Sequence, residues 1–332
     1  MQENPVIRLF DNHPGLVQLT NAVDSGLKRI VTEGLCGSLK SVAIASSFIR
    51  NPATYLVIAP EKEDAAYLYN DLIALAGEEN IFFFPSTFKR SVLYEQTEPA
   101  NIVLRTGVLN YLSSGKKKGI IVSYPESVME KVISRKNLKK NTLRISKGER
   151  LSREFLEEML REYGFENVDF VYEPGQYSIR GSIVDVFSFS ADHPFRMDFF
   201  GDEIETIRSF NAEDQLSVGT MNHVEIIPNI QDISIEEIND SFTGFLPPSS
   251  MIWTEDRSFI REKINSIYDQ AVQREDSGQA TGKKELVMTG TRFFEECSAF
   301  KNIELGRDPG ETSREERIIF RCESQQLGRA HV

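Results

Sequence analysis

The chain has 332 residues, 40% of them hydrophobic and 27% charged, a length and balance suited to two or three domains with sizeable cores. It lacks an apolar run near the roughly 20 residues that span a bilayer, its start Met1-Gln-Glu-Asn-Pro is no signal peptide, and Cys36, Cys297 and Cys322 form neither a metal-ligand pattern nor a disulfide framework. The expected setting is therefore the reduced cytoplasm, and the net charge of −12 argues against a general nucleic-acid binder.

In chain order, Tyr55–Ala59 is a short β-prone run closed by Pro60. Residues 64–77 place Ala65, Leu68, Leu72 and Ala76 on one helical face, with Gly77 as the stop. Ile81–Phe84 reads as a buried strand and Pro99–Leu112 as a helix with proline in its first turn. Gly119–Ser123 is a further strand. Strand and helix alternating in this way predict a parallel sheet with helices on its faces. Between Lys116 and Arg150 stand eleven Lys or Arg against three Glu. This stretch reads as a solvated basic linker and helix face, with an electrostatic footprint for an acidic protein or DNA as the alternative.

The pattern changes near Lys140. Ser152 is a good N-cap for a helix whose apolar stripe is Phe155, Leu156, Met159 and Leu160. Strands are expected at Val168–Tyr172, Ser182–Phe187, Phe195–Phe200 and Glu203–Phe210, the last two joined by Gly201-Asp202 as a type II′ hairpin turn. Beyond Pro228, Met251–Thr254 reads as a strand, and Phe259, Ile260, Ile264, Ile267 and Tyr268 mark a helix. Arg274–Lys284 is an expected loop, and Ile318–Phe320 an unfinished beginning.

Three constellations could carry chemistry. Gly34-Leu-Cys-Gly37-Ser-Leu39-Lys40-Ser41 nearly matches the phosphate-binding pattern G-x-x-x-x-G-K-[ST], with Leu39 in place of the second glycine. A left-handed conformation at Leu39 would cost about 1–2 kcal/mol. An NTPase also needs a metal-binding carboxylate at a strand end, for which Glu126 and the Glu255-Asp256 pair are the candidates. The loop is expected to be a relic. Arg180, Arg196 and Phe200 form the second constellation: Arg196 and Phe200 share a strand face, and Arg with an exposed aromatic ring is hot-spot composition for a protein interface. Asp185 and Asp198 are the third, read as carboxylates that accept hydrogen bonds and fix the sheet. His13, His193, His223 and His331 show no ligand spacing.

The stretch Tyr177-Ser-Ile-Arg180-Gly181-Ser-Ile-Val-Asp185-Val-Phe187, with Pro194-Phe-Arg196-Met-Asp198-Phe-Phe200 and the hairpin to Phe210, resembles the domain shared by two bacterial excision-repair families, UvrB and the transcription-repair coupling factors (Mfd). Gly148-Glu-Arg-Leu-Ser152 and Tyr163-Gly-Phe165 resemble the coupling factors, in which the nucleotide loop is degenerate. The resemblance implies a degenerate P-loop α/β body (residues 1–139), an inserted α+β docking domain (140–228), a segment packing back on the body (229–315) and a tail or the start of another domain (316–332). It implies no catalytic residue, metal or cofactor, and UvrA as the partner of Arg180, Arg196 and Phe200. Contacts with further domains of the same polypeptide are implied too, with RNA polymerase and DNA reached only through C-terminal parts, the sequence being read as an N-terminal fragment. The alternative is an ATP-dependent UvrB-like enzyme that tolerates Leu39.

Overall fold

A computed structural model describes residues 4–10, 12–87, 99–115, 118–229, 238, 240–277, 284–306 and 316–320. The chain begins with α1 (Pro5–Leu9), α2 (Pro14–Asp24), β1 (Arg29–Glu33), α3 (Leu39–Arg50), β2 (Thr54–Ile58), α4 (Lys62–Ala76), β3 (Ile81–Phe83), α5 (Pro99–Ser113), β4 (Gly119–Ser123), α6 (Pro125–Val128) and α7 (Arg135–Lys140). It continues through β5 (Leu143–Ser146), α8 (Arg153–Glu162), β6 (Glu166–Asn167), β7 (Gln176–Arg180), β8 (Ile183–Val186), β9 (Phe195–Phe200), β10 (Glu203–Phe210), β11 (Ser217–Met221) and β12 (His223–Ile226). The last elements are β13 (Met251–Thr254), α9 (Arg257–Asp276), α10 (Gly290–Cys297), β14 (Lys301–Leu305) and β15 (Glu316–Ile319).

The α/β expectation holds. One seven-stranded sheet has the order β15-β1-β14-β13-β2-β4-β3, and its strand pairs are parallel. Strands from before residue 124 and after residue 250 thus interleave in one sheet. Because side chains alternate along a strand, the sheet buries a core on each face. Leu56, Ile58, Ile121 and Ile252 face α5, α9 and α10, whereas Tyr55, Val57, Ile120, Val122 and Trp253 face α2, α3 and α4. The periodicity of α4 is realised as read, with Ala65 and Leu72 buried and Gly77 at φ +84° closing the helix.

Residues 316–320 differ from expectation. They form β15, which pairs with β1 from Ile30↔Glu316 to Glu33↔Ile319 and completes the body sheet. The reason lies at Gly34, whose φ is +86° and whose missing Cβ leaves room for the Phe320 carbonyl; a Cβ there would lie 2.1 Å from that oxygen. Strand β14 was not anticipated either. Its sequence Lys-Asn-Ile-Glu-Leu carries a charge at Glu304, which is buried and matched by Arg29 at 2.9 Å and Arg257 at 3.3 Å.

Between these halves stands a six-stranded sheet of order β11-β10-β9-β8-β7-β6. One face packs Tyr177, Val184, Met197, Phe199, Ile204 and Ile207 against Leu156 and Leu160 of α8. Ser152 caps α8 as expected, accepting from the Phe155 N–H at 3.2 Å, but the Phe155 ring is exposed. Gly201 at φ +63° and Asp202 outside the left-handed region make the β9–β10 turn as anticipated. Val168–Tyr172 is not a strand: the chain leaves β6, buries Val171 against Phe187 and Phe210, and is held in a turn by Gln176, whose Oε1 accepts from the N–H groups of Tyr172 and Glu173. The segment is joined to the body through β5 and β12, which pair antiparallel from Leu143↔Ile226 to Ser146↔His223.

Candidate functional site

The outward face of the six-stranded sheet carries the candidate residues. Its register aligns Ser178, Asp185, Arg196 and Arg208 across β7, β8, β9 and β10. Arg180, Ile183, Asp198 and Thr206 form the next row. Asp185 is fully buried and is the hub. Arg196 donates to it through Nε at 2.7 Å and Nη2 at 2.8 Å, and Arg180 through Nη2 at 2.5 Å. These hydrogen bonds to the Asp185 carboxylate raise the Arg196 pKa above its ordinary value. Each guanidinium also lies over a ring, Arg196 at 4.3 Å from the Phe210 centroid and Arg180 at 4.8 Å from that of Phe170. Asp198 does the same in the adjacent row, accepting from Thr206 at 2.7 Å and Arg208 at 2.6 Å. Both aspartates therefore fix the sheet, as their setting suggests.

Phe200 stands apart from the arginine cluster, at the hairpin end of β9, about 13 Å along the strand from Arg196 at 3.3 Å per residue. Its ring is 80% exposed. Nothing in the fold requires an exposed phenylalanine there, and such rings mark contact surfaces when charged groups accompany them. Arg180 is 36% exposed, but Arg196 is only 17% exposed. The three residues are expected on one exposed face, yet Arg196 is mostly covered: a carboxylate sealed beneath a sheet needs its counter-charge close by, so Arg196 is drawn down onto Asp185. Gln215, which the sequence did not single out, holds Arg196 from the far side, accepting from Nη2 at 3.2 Å. Its own backbone takes φ +61°, and its Nε2 donates to the Val171 and Ala212 carbonyls. Strain of this kind persists where surroundings over-determine a residue.

The Gly34–Ser41 loop lies at the carboxyl ends of the body strands, the usual ligand crevice of such sheets. A cavity of about 410 Å³ there is lined by Lys40, Ser41, Asp64, Tyr67, Asp71 and Glu255 among others. Gly34 and Gly37 take the left-handed conformations of the loop, at φ +86° and +54°. Leu39 does not: it is the first residue of α3 and packs against the core, so the strain considered for it is absent. The loop is instead satisfied from within. The N–H groups of Leu39 and Lys40 donate to the Cys36 and Gly37 carbonyls, Lys40 pairs with Glu255, and the Ser41 hydroxyl donates to Asp71 at 2.7 Å. Three carboxylates against one lysine give the cavity a negative balance, which repels phosphate. The other carboxylate candidates are engaged as well, Glu126 with Lys263 at 3.0 Å and Asp256 as the N-cap of α9. Within the basic stretch, Arg135 is held by the Gly244 and Phe245 carbonyls, while Lys136, Lys139, Lys140 and Lys147 are exposed; Lys116 and Lys117 lie outside the described residues. Among the described residues no helix is long and apolar enough to cross a membrane, and no His/Cys/Asp/Glu group could hold a metal ion.

Comparison with known proteins agrees with this geometry. Residues 143–231 match the family model of the UvrB interaction domain, from the first residue of β5 to just beyond β12. The chain is 28% identical over 211 residues to the transcription-repair-coupling factor of Bacillus subtilis (strain 168), covering 63% of this chain and 18% of that protein. It is 25% identical over 216 residues to that of Escherichia coli (strain K12), covering 65% and 18%. With the UvrABC system protein B of Thermotoga neapolitana it shares 24% identity over 238 residues, covering 68% and 36%. The chain thus spans less than a fifth of the length of these coupling factors and about a third of that UvrB protein. It carries a segment that matches the UvrB interaction domain, borne on a parallel α/β body, and is similar to the transcription-repair-coupling factors over about three fifths of its length.

Proposed function

We propose that this chain is a non-catalytic docking module that binds UvrA through Arg180, Arg196 and Phe200 and so links excision repair to stalled transcription. The observation that carries the reading is the pair of guanidiniums pinned on buried Asp185, with exposed Phe200 on the same sheet face, inside the segment that matches the UvrB interaction domain. Pinned arginines lose little freedom on binding and present their remaining N–H groups in fixed directions, which suits carboxylate acceptors on a partner. In this reading residues 140–228 are the docking domain, and 1–139 with 229–315 are its scaffold. RNA polymerase and DNA are engaged by other regions of a longer polypeptide, whose translocase this module helps to regulate. The test is capture of purified UvrA by the immobilised chain. Wild type is expected to retain it, and the Arg180→Ala and Phe200→Ala variants to lose it while melting as wild type does. Normal capture by both variants would overturn the assignment.

A second reading, an ATP-dependent enzyme, is favoured by one observation: Lys40, Ser41 and Glu255 meet at one cavity. ATP turnover above a no-protein blank, abolished by Lys40→Ala, would establish it. The closed loop and the negative cavity lead us to expect no turnover.

A further inference from the structure

Among the described residues two non-glycines take a positive φ, Asp256 at +52° and Gln215 at +61°. Asp256 is accounted for locally. Aspartate is tolerated in the left-handed region, and its carboxylate caps α9 by accepting from the Phe259 N–H at 3.0 Å. Gln215 has no such local reason. It lies at the end of the turn between β10 and β11, which main-chain bonds close from the Gln215 N–H to the Asn211 carbonyl and from the Asn211 N–H to the Leu216 carbonyl. The Asn211 and Asp214 side chains complete the turn by accepting from the Glu213 and Leu216 N–H groups. Glycine would supply the left-handed backbone at lower cost. What glutamine adds is its amide.

That amide closes a circuit around the arginine pair. Its Oε1 accepts from Arg196 Nη2 at 3.2 Å, and its Nε2 donates to the Val171 carbonyl at 3.3 Å and the Ala212 carbonyl at 2.8 Å. Val171 is buried beside Phe210, the same ring over which the Arg196 guanidinium lies. Two residues earlier, the Asp169 carbonyl accepts from Arg180 Nη1 at 3.1 Å and from the Ser178 hydroxyl at 3.0 Å. The path from Asp185 through Arg196 and Gln215 to Val171 thus returns along the main chain to Asp169, Arg180 and Asp185 again. Asp185 Oδ2 is shared, accepting from Nη2 of both arginines, so two like charges bear on one oxygen. Gln215 gives Arg196 Nη2 a second acceptor on the side away from Asp185. Of the five N–H groups of Arg196, two are on Asp185 and one on Gln215, which leaves those of Nη1. We propose, on the docking reading above, that Gln215 is a positioning residue of the docking face: it locks the Arg196 guanidinium against the Asp169–Val171 segment, so that Nη1 alone meets a carboxylate of the partner.

The test is titration calorimetry of purified UvrA with the whole chain carrying Gln215→Gly. Glycine relaxes the left-handed backbone as it removes the amide, so the variant should melt within about 3 °C of wild type. It should nevertheless bind UvrA about threefold to tenfold more weakly, the loss expected on freeing one long side chain. Gln215→Asn keeps an amide on a residue tolerated at positive φ but is one methylene shorter than the span, and should bind as weakly. A purely structural role is separated by a double-mutant cycle. In the Arg196→Ala background Gln215→Gly should cost no further affinity, whereas its effect should add to that of Phe200→Ala. Undiminished binding by either Gln215 variant, or an equal loss with Arg196 already removed, would overturn the proposal. Failure of the wild-type chain to bind, or wild-type affinity in Arg196→Ala, would overturn the docking reading itself and the role of Gln215 with it.

Discussion

Replacing Asp185 by alanine removes the group on which the arginine cluster is built. The wild-type carboxylate is fully buried and accepts three charge-assisted hydrogen bonds, two from Arg196 and one from Arg180. Bonds to a charged group contribute about 1.5–3 kcal/mol each. Arg180, more than a third exposed, rehydrates when released, so its bond counts for little. The two Arg196 bonds remain, from a guanidinium 17% exposed, and give about 3 kcal/mol, the lower end of the 3–5 kcal/mol found on breaking a buried pair. With a urea slope of about 1.5 kcal/mol per M, the midpoint of the affected transition falls by about 2 M. Asp185→Asn keeps one acceptor oxygen and should lose roughly half as much. The assay is urea denaturation followed by circular dichroism, with UvrA capture measured below the transition. A midpoint shift under about 0.5 M together with undiminished capture would refute the view that Asp185 organises the face.

Three further outcomes are expected. Phe200→Ala should change stability by less than about 0.5 kcal/mol, because the ring is exposed, yet weaken UvrA binding about thirtyfold by titration calorimetry, as loss of a central aromatic contact of about 2 kcal/mol would. Gly34→Ala should lower the melting temperature and expose β15 to proteolysis, because its Cβ would collide with the Phe320 carbonyl and its left-handed backbone costs about 1–2 kcal/mol besides; unchanged cleavage would show that β15 does not depend on this approach. Exposed Cys36 should be alkylated by iodoacetamide in the folded chain, while buried Cys297, whose pKa burial pushes well up, should react only after unfolding, as peptide mapping would show.

What the sequence made legible followed from local signals. Helix α4 was readable because its apolar residues recur at the helical period, and the β9–β10 hairpin because Gly201-Asp202 meets a local steric demand. Where long-range contacts decide, local reading failed. Strand β14 looks too polar to be central until Arg29 and Arg257, from distant segments, neutralise Glu304. Val168–Tyr172 has the composition of a strand, yet the Gln176 side chain folds its end into a turn. Arg196 was found, but its depth was not, since that depends on Asp185 pairing with it across the sheet. Glu255 was noted, whereas its meeting with Lys40, far away in sequence, belongs to the topology of parallel strands. Gln215 gave no signal at all.

The arrangement also suits a face rich in arginine to a protein partner better than to a nucleic acid. Arg196 and Arg208 stand directly opposite on neighbouring strands, a like-charge pairing that would destabilise the sheet by itself. Asp185 on one side and Asp198 on the other offset it, so three arginines against two aspartates leave a balance of +1 among these five residues. A phosphate backbone binds through many unpaired cations and releases counterions in proportion; this cluster has few unpaired charges to offer. What it offers is direction, two guanidiniums held at fixed angles, and an exposed ring at the hairpin. Those properties favour a protein surface with one or two well-placed carboxylates and an apolar recess. In the proposed docking role, recognition does not depend on the nucleotide loop. The proposed recognition residues lie on a sheet tied to the body through the β5–β12 pair, while the Gly34–Ser41 loop lies at the crevice of the parallel sheet, where Lys40 pairs with Glu255 and the Ser41 hydroxyl donates to Asp71.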